Sequence, residues 1–204
     1  MAEAPTIATL ALVGAHPALD FANTMGQLPG GAPRDHLVDY AGLVTWSQRV
    51  GSITRAEATA LRRRADAEPE AARRALTAAR ELRGAIYGLF AAHAVGAVPA
   101  AEALERFNRH LVRAEAHAAI VGTRDGFGWR WTGEVDALDR VLWPLARAAA
   151  DLLTDDALAR VRQCAGEDCL WLFLDVSKNG SRRWCSMSDC GNRAKVKRFR
   201  ARPD

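Results

Sequence analysis

The chain has 204 residues, of which 49% are hydrophobic and 25% are charged, and its formal net charge is +4. This composition suits one globular body with a sizeable core. No segment approaches the roughly 20 apolar residues of a membrane span, and the first residues lack the basic and apolar regions of a secretory signal. We therefore expect a cytoplasmic protein without a membrane-spanning segment.

Residues 1–159 are predicted to form a mainly helical body. Thr6 to Val13 is apolar and predicts a short strand, and Gln27 to Pro33 is a loop rich in Gly and Pro. Thr54 and Glu57 have the spacing of a capping box. Apolar residues at helical spacing predict helices from Pro17 to about Met25, about Leu37 to Val50, Thr54 to about Ala65, Pro69 to at least Phe90, Pro99 to about Leu111, and Val135 to Leu153, with Pro144 as a kink or a new start.

Residues Ile120 to Thr132 interrupt this helical pattern. Phe127, Trp129 and Trp131 alternate with other residues, which predicts a β-hairpin with its turn near residues 124–126. The fold class predicted for the whole chain is therefore mainly α (α+β): a helical body with a small β-hairpin, followed by a C-terminal module.

Asn23 and Thr24 end the otherwise apolar stretch from Ala18 to Met25. Asn is a poor residue inside a helix because its side chain competes for backbone groups. It can cap a neighbouring element, or both residues can face a pocket and bind a small-molecule effector. Ligand pockets are mostly apolar with a few placed polar groups, so we keep Asn23 and Thr24 as candidate ligand-binding residues.

The last part of the chain contains all four cysteines, Cys164, Cys169, Cys185 and Cys190. They form two C-x4-C pairs, a spacing that predicts two metal knuckles brought together by a hairpin around one structural zinc ion. Two disulfides are the alternative, but a cytosolic chain keeps its thiols reduced. Four thiolates complete a tetrahedral shell and leave no position for a catalytic water.

The residues around the cysteines predict a treble-clef-like module over residues 160–204. Leu170 to Val176 resembles a strand, residues 177–180 a turn, and Ser181 to Trp184 the start of a return strand. Ala194 to Ala201 suits a helix that begins beside the metal. Bound zinc can supply the folding free energy that so small a core lacks.

Charge is concentrated in this module. Residues 160–204 contain 11 Lys and Arg against 5 Asp and Glu, whereas residues 1–159 carry a formal charge of −2. A compact basic module is typical of a nucleic-acid binder, although a solvated cationic tail is the alternative. Arg193 can instead steady a knuckle, and Asn192 can serve the turn. The candidate nucleic-acid contacts are Lys178, Arg182, Arg183, Asn192, Arg193, Lys195, Lys197 and Arg198.

Two stretches of the chain resemble a known bacterial family. Arg182-Arg183-Trp184-Cys185 and Cys190-Gly191-Asn192-Arg193, with the cysteine spacing, resemble the CGNR zinc finger. Leu19 to Thr24 resembles the signature of the ABATE domain that precedes this finger, with Ala22 in place of a usual Val. The resemblance implies a stress-induced transcription regulator with a DNA-binding finger.

We therefore expect a regulator that is not an enzyme, because the sequence contains no P-loop, nucleophile elbow or HExxH motif. The finger would bind DNA, and the body would sense a ligand or form a homodimer. An RNA- or ribosome-associated module, or a protein-docking module, is the alternative function.

Overall fold

The computed structural model describes residues 6–27 and 33–200. Within these residues the protein is mainly helical with small antiparallel strand pairs, which confirms the predicted fold class. No helix among them is long and apolar enough to cross a bilayer. The helices are α1 (Pro17–Ala22), α2 (Tyr40–Arg49), α3 (Arg55–Ala67), α4 (Pro69–Ala94), α5 (Ala101–Glu115), α6 (Trp143–Thr154) and α7 (Asn192–Arg200).

Helix α4 lies at the centre of the body. Its apolar residues recur every three or four positions, so one face of the helix is continuously apolar. Leu82, Ile86 and Phe90 on that face are fully buried. The helix contacts each of α1, α2, α3, α5 and α6. Burial along this one helix therefore organises the main core.

Local signals set where α3 begins. Thr54 and Glu57 form the predicted capping box: Thr54 Oγ1 accepts a hydrogen bond from the Glu57 backbone N–H at 3.2 Å, and the Glu57 carboxylate accepts one from the Thr54 N–H at 2.8 Å. Two of the unpaired donors at the helix start are thereby satisfied. The same carboxylate pairs with Arg140 at 3.0 Å and ties α3 to the segment that leads into α6.

Three antiparallel strand pairs complete the fold within the described residues. The hairpin predicted after α5 is present, with Ile120 opposite Trp129. The first pair flanks the predicted Gly/Pro loop, whose residues 28–32 lie outside the described residues. The strands are β1 (Met25–Gln27) with β2 (Pro33–Asp35), β3 (Ala118–Thr123) with β4 (Gly126–Trp131), and β5 (Val161–Gln163) with β6 (Leu172–Leu174).

Two predicted elements of the body are wrong. Residues 6–13 form a turn and irregular chain and no strand, because the Leu10 N–H donates back to the Thr6 carbonyl at 2.8 Å. Helix α6 begins at Trp143 and not near Val135. Pro144 lacks an N–H and would clash with a preceding helical carbonyl, so it is accommodated in the first turn of a new helix.

The predicted return strand Ser181–Trp184 is also absent, because β6 pairs with β5 instead. The backbone groups of this segment find other partners. The Arg182 N–H donates to the Asp175 carboxylate at 2.9 Å, and the Arg183 carbonyl accepts from the Ala165 N–H at 2.9 Å. The segment is therefore held against the first knuckle and not in a sheet.

The β5–β6 pair joins the finger to the body. Val161 and Leu172 are fully buried and belong to the main core. The Leu174 N–H donates to the Gly14 carbonyl at 2.9 Å, and β6 contacts α1. The body and the finger therefore pack against each other. The predicted domain boundary between them, after residue 159, stays a proposal.

Candidate metal centre and basic surface

The four cysteines converge at one point of the finger. Their Sγ atoms all lie within 4.8 Å of one another, and all four residues are buried. Tetrahedral coordination with Zn–S bonds of about 2.3 Å requires sulfur atoms roughly 3.8 Å apart. The Cys169–Cys185 and Cys185–Cys190 sulfur atoms are separated by 3.6 and 3.5 Å. The donor set therefore fits one zinc ion.

Hydrogen bonds to sulfur position the thiolates further. Cys164 Sγ accepts from the backbone N–H groups of Cys185 at 3.2 Å and of Gly166 at 3.5 Å. A side chain at Gly166 would lie 3.2 Å from Cys169 Cβ and 3.3 Å from Cys190 Sγ, so the knuckle has little room for one. Such N–H donors stabilise negative charge on sulfur, as a thiolate ligand requires.

The close packing of the thiols also shifts their acidity. The pKa of Cys164 is lowered to about 2, because the thiols of Cys169 and Cys185 and then backbone N–H groups donate to its sulfur. The pKa of Cys185 is raised, chiefly by its hydrogen bond to Cys164, and burial raises that of Cys190. Without metal, Cys164 is therefore the most acidic thiol of the cluster.

Arg182, a predicted nucleic-acid contact, is directed inward and contacts both the finger and the body. Its guanidinium donates to the carbonyl oxygens of Val13 at 2.8 Å and Trp184 at 3.1 Å, and lies 4.2 Å above the centre of the Phe173 ring. Asp175, which sequence reasoning did not single out, is buried and holds the Arg182 backbone N–H. The only sequence signal for Asp175 is a carboxylate inside an apolar run.

Asn192 and Arg193 have partners within the second knuckle. Asn192 Nδ2 donates to the Ser188 carbonyl at 3.1 Å. Arg193 pairs with Asp189 and donates to Cys190 Sγ at 2.9 Å. Both contacts match the structural alternatives given above, in which Arg193 steadies a knuckle and Asn192 serves the turn. The nucleic-acid role of these two residues stays a prediction.

The remaining candidate cations are exposed. Among the described residues, the side chains of Lys178, Lys195 and Arg198 form no hydrogen bond or ion pair. The Arg183 guanidinium lies 5.3 Å from the centre of the Trp184 ring, and Lys197 pairs with Glu167. Exposed pairs of this kind are weak, so Lys197 can exchange its partner.

Some of these basic residues line a cleft of about 620 Å³. The first knuckle and α7 form its walls, and Arg183, Arg193, Lys197 and Arg198 line it. Lys178, Arg182, Asn192 and Lys195 are not among its lining residues. Glu167 and Asp168 stand on the same cleft and reduce its positive charge. The structure thus brings half of the eight candidates to one concave surface.

Asn23 and Thr24 lie at the junction between the body and the finger. Asn23 Nδ2 donates to the Leu172 carbonyl and Asn23 Oδ1 accepts from the Leu172 N–H, both at 2.8 Å. Thr24 Oγ1 donates to the Phe21 carbonyl at 2.7 Å and accepts from Arg83 at 3.3 Å. Their ligand-binding role stays a prediction, and the observed partners all lie within the protein.

The fold and the site define a class of protein with a helical body followed by a four-cysteine zinc finger. Comparison with protein families agrees: residues 15–156 match the family described as "ABATE: Putative stress-induced transcription regulator", and residues 160–203 match "CGNR zinc finger". The chain therefore belongs to the ABATE family, with a CGNR zinc finger at its C-terminal end. Neither description names an enzyme. A comparison with curated proteins gave no significant match.

Proposed function

We propose that this protein regulates transcription by binding DNA through its zinc finger. The observation that carries the proposal is the cleft beside the metal centre, lined by Arg183, Lys197 and Arg198. Zinc fixes the first knuckle relative to α7, so these cations are held in a defined arrangement. Rigidly held Arg and Lys side chains are suited to neutralising successive phosphates.

Phosphate contacts explain affinity, and base contacts would have to supply specificity. One short finger offers few base contacts, so we propose that two copies act together on one DNA site. The exposed side chains of Phe127 and Trp129 on the β3–β4 hairpin offer an apolar surface that such a homodimer could cover.

The body is proposed to sense a small-molecule effector and to have no enzymatic activity, in a protein located in the cytoplasm. It joins the finger through hydrogen bonds and shared apolar packing, as at Asn23 and Leu172. A ligand that changes this junction would change the orientation of the finger.

The DNA proposal is tested with zinc-loaded protein and one charge removal. Arg198→Ala deletes a cleft cation that has no partner among the described residues, and Arg74→Ala deletes an exposed cation on α4 as the matched control. For duplex DNA, the negative slope of log association constant against log salt should become about 0.9 less negative for Arg198→Ala and stay unchanged for Arg74→Ala. Equal slopes in both variants, with zinc retained, would show that the cleft does not contact phosphates.

Phe199 favours a second candidate function. Its ring is 78% exposed on α7, between the basic residues Arg198 and Arg200. Aromatic rings among cations stack on the bases of single-stranded nucleic acids. A selection with DNA and RNA pools side by side separates the possibilities: enrichment of an RNA motif would replace the DNA proposal, and enrichment in neither pool would favour a protein partner.

A further inference from the structure

The second knuckle places Arg193 beside a metal ligand. A π-helical turn, Met187–Gly191, leads directly into α7. Side chains three and four positions apart lie on the same face of a helix, so Arg193 is within reach of both Cys190 and Asp189. The order of residues along this turn therefore sets a guanidinium next to the zinc site.

Two neighbouring residues hold the start of α7 in this position. A Cβ at Gly191 would lie 2.8 Å from Met187 Sδ, so a side chain there would displace Met187. Asn192 Nδ2 donates to the Ser188 carbonyl at 3.1 Å. The backbone on the N-terminal side of Arg193 is thus fixed by local contacts, and the position of its side chain follows from them.

The two arms of the Arg193 guanidinium have different partners. Nη1 pairs with the Asp189 carboxylate, and Nη2 donates to Cys190 Sγ at 2.9 Å. Within the described part of the chain, no other group outside the four cysteines donates to this sulfur. Cys164 Sγ, by contrast, accepts from two backbone N–H groups. Cys190 therefore receives from a side chain the kind of hydrogen bond that Cys164 receives from the backbone.

Charge gives this contact its strength. Four thiolates exceed the charge of one Zn²⁺ ion by two negative charges, and a hydrogen bond between charged groups is roughly twice as strong as a neutral one. Cys190 is 2% exposed, but it borders both the basic cleft and a cavity of about 310 Å³ between the body and the finger. Arg193 lines the same two spaces. A phosphate that drew Arg193 away would leave this sulfur without its cation.

We propose that Arg193 is a positioning residue of the zinc centre and not one of the phosphate-binding cations of the cleft. Asp189 fixes one arm of the guanidinium, and the other arm holds the Cys190 thiolate in place for the metal. The planar fork is essential, because the ammonium of a lysine is a point charge that cannot direct two separate arms at a carboxylate and a sulfur. Zinc binding needs no nucleic acid, so this proposal stands or fails independently of the DNA proposal.

The test compares Arg193→Lys with Arg198→Lys, the matched control on the same helix and the same cleft. Both variants keep the charge of the finger and a good helix former. Zinc affinity, measured by competition with a chelator, should fall about tenfold for Arg193→Lys, the lower end of the range for residues that support metal ligands. It should stay at the parent's value for Arg198→Lys. Arg193→Ala removes the charge as well and should approach a loss of about 100-fold.

Cobalt(II) in place of zinc reports on the hydrogen bond itself. An N–H donor stabilises the electrons of a thiolate sulfur, so losing it moves the sulfur-to-cobalt charge-transfer absorption to longer wavelength. Arg193→Lys should show this shift, and Arg198→Lys should not. The visible bands of tetrahedral cobalt establish that the finger is folded in each variant. Arg193→Lys carries the test even if Arg193→Ala does not fold.

Three results would overturn the proposal. The first is an Arg193→Lys variant that binds zinc as tightly as the parent, since any cation would then suffice. The second is a charge-transfer absorption that Arg193→Lys leaves in place, because the sulfur would then have no hydrogen bond from the guanidinium to lose. The third is an equal loss of zinc affinity in Arg193→Lys and Arg198→Lys, which would be a general effect of lysine in α7.

Discussion

Asn23→Ala should destabilise the whole protein, because Asn23 joins α1 to β6. The side chain is 1% exposed and satisfies both backbone groups of Leu172, at 2.8 Å each. Leu172 itself is fully buried in the main core. Removing the amide leaves one buried N–H and one buried C=O without their partner.

The expected loss follows from these two groups. Each buried backbone group that loses its partner costs about 1–3 kcal/mol, so the loss of two partners should lower the free energy of unfolding by roughly 2–6 kcal/mol. That is a large share of the roughly 5–15 kcal/mol typical of a domain. Water entering the space left by the amide would move the result toward the lower value.

The measurement is urea unfolding of zinc-loaded protein, followed by tryptophan fluorescence. Asn108→Ala, on the exposed surface of α5, is the matched control and should stay within about 0.5 kcal/mol of the parent. The slope of free energy against urea should not change, since the same surface is exposed on unfolding.

A loss below about 0.5 kcal/mol for Asn23→Ala would refute this reasoning. It would mean that the two hydrogen bonds with Leu172 do not hold the junction. If the same variant then lost a ligand-induced rise in melting temperature, Asn23 would have the ligand-binding role predicted from sequence.

Three further predictions concern titration, metal and packing. Burial raises the pKa of Asp20 from 3.8 to about 6, so between these pH values the folded protein binds more protons than the unfolded chain. The free energy of unfolding of Asp20→Asn should therefore exceed that of the parent by on the order of 3 kcal/mol at pH 7 and equal it below pH 4. A gain in stability that is independent of pH would contradict this. Zinc affinity should rise from pH 6 to pH 8, because Cys185 and Cys190 have raised pKa values and keep protons that zinc must displace. Competition with a chelator at each pH measures the affinity. An affinity that does not change with pH would be contrary evidence. Arg182→Ala should lower the melting temperature of zinc-loaded protein more than Arg198→Ala, because Arg182 donates hydrogen bonds to the Val13 and Trp184 carbonyls. Differential scanning calorimetry measures both melting temperatures. Equal melting temperatures in the two variants would argue against a structural role for Arg182.

The sequence by itself determined the features that depend on neighbouring residues. The cysteine spacing predicted the metal cluster, since a C-x4-C knuckle needs only a local turn. The Thr54 capping box and the β3–β4 hairpin were likewise predictable, because their partners lie within a few residues of each other. The helices of the body followed from the 3.6-residue period of their apolar residues.

Only the tertiary structure decided which distant groups meet. Asn23 finds its partner 149 residues away, and Arg182 reaches the Val13 carbonyl 169 residues away. Strand β6 pairs with β5 and not with the return strand, because β5 also buries Val161 in the main core. Hydrogen-bonding groups pair with whatever the packing of apolar surface brings beside them, and that packing is set by the whole chain and not by any local pattern.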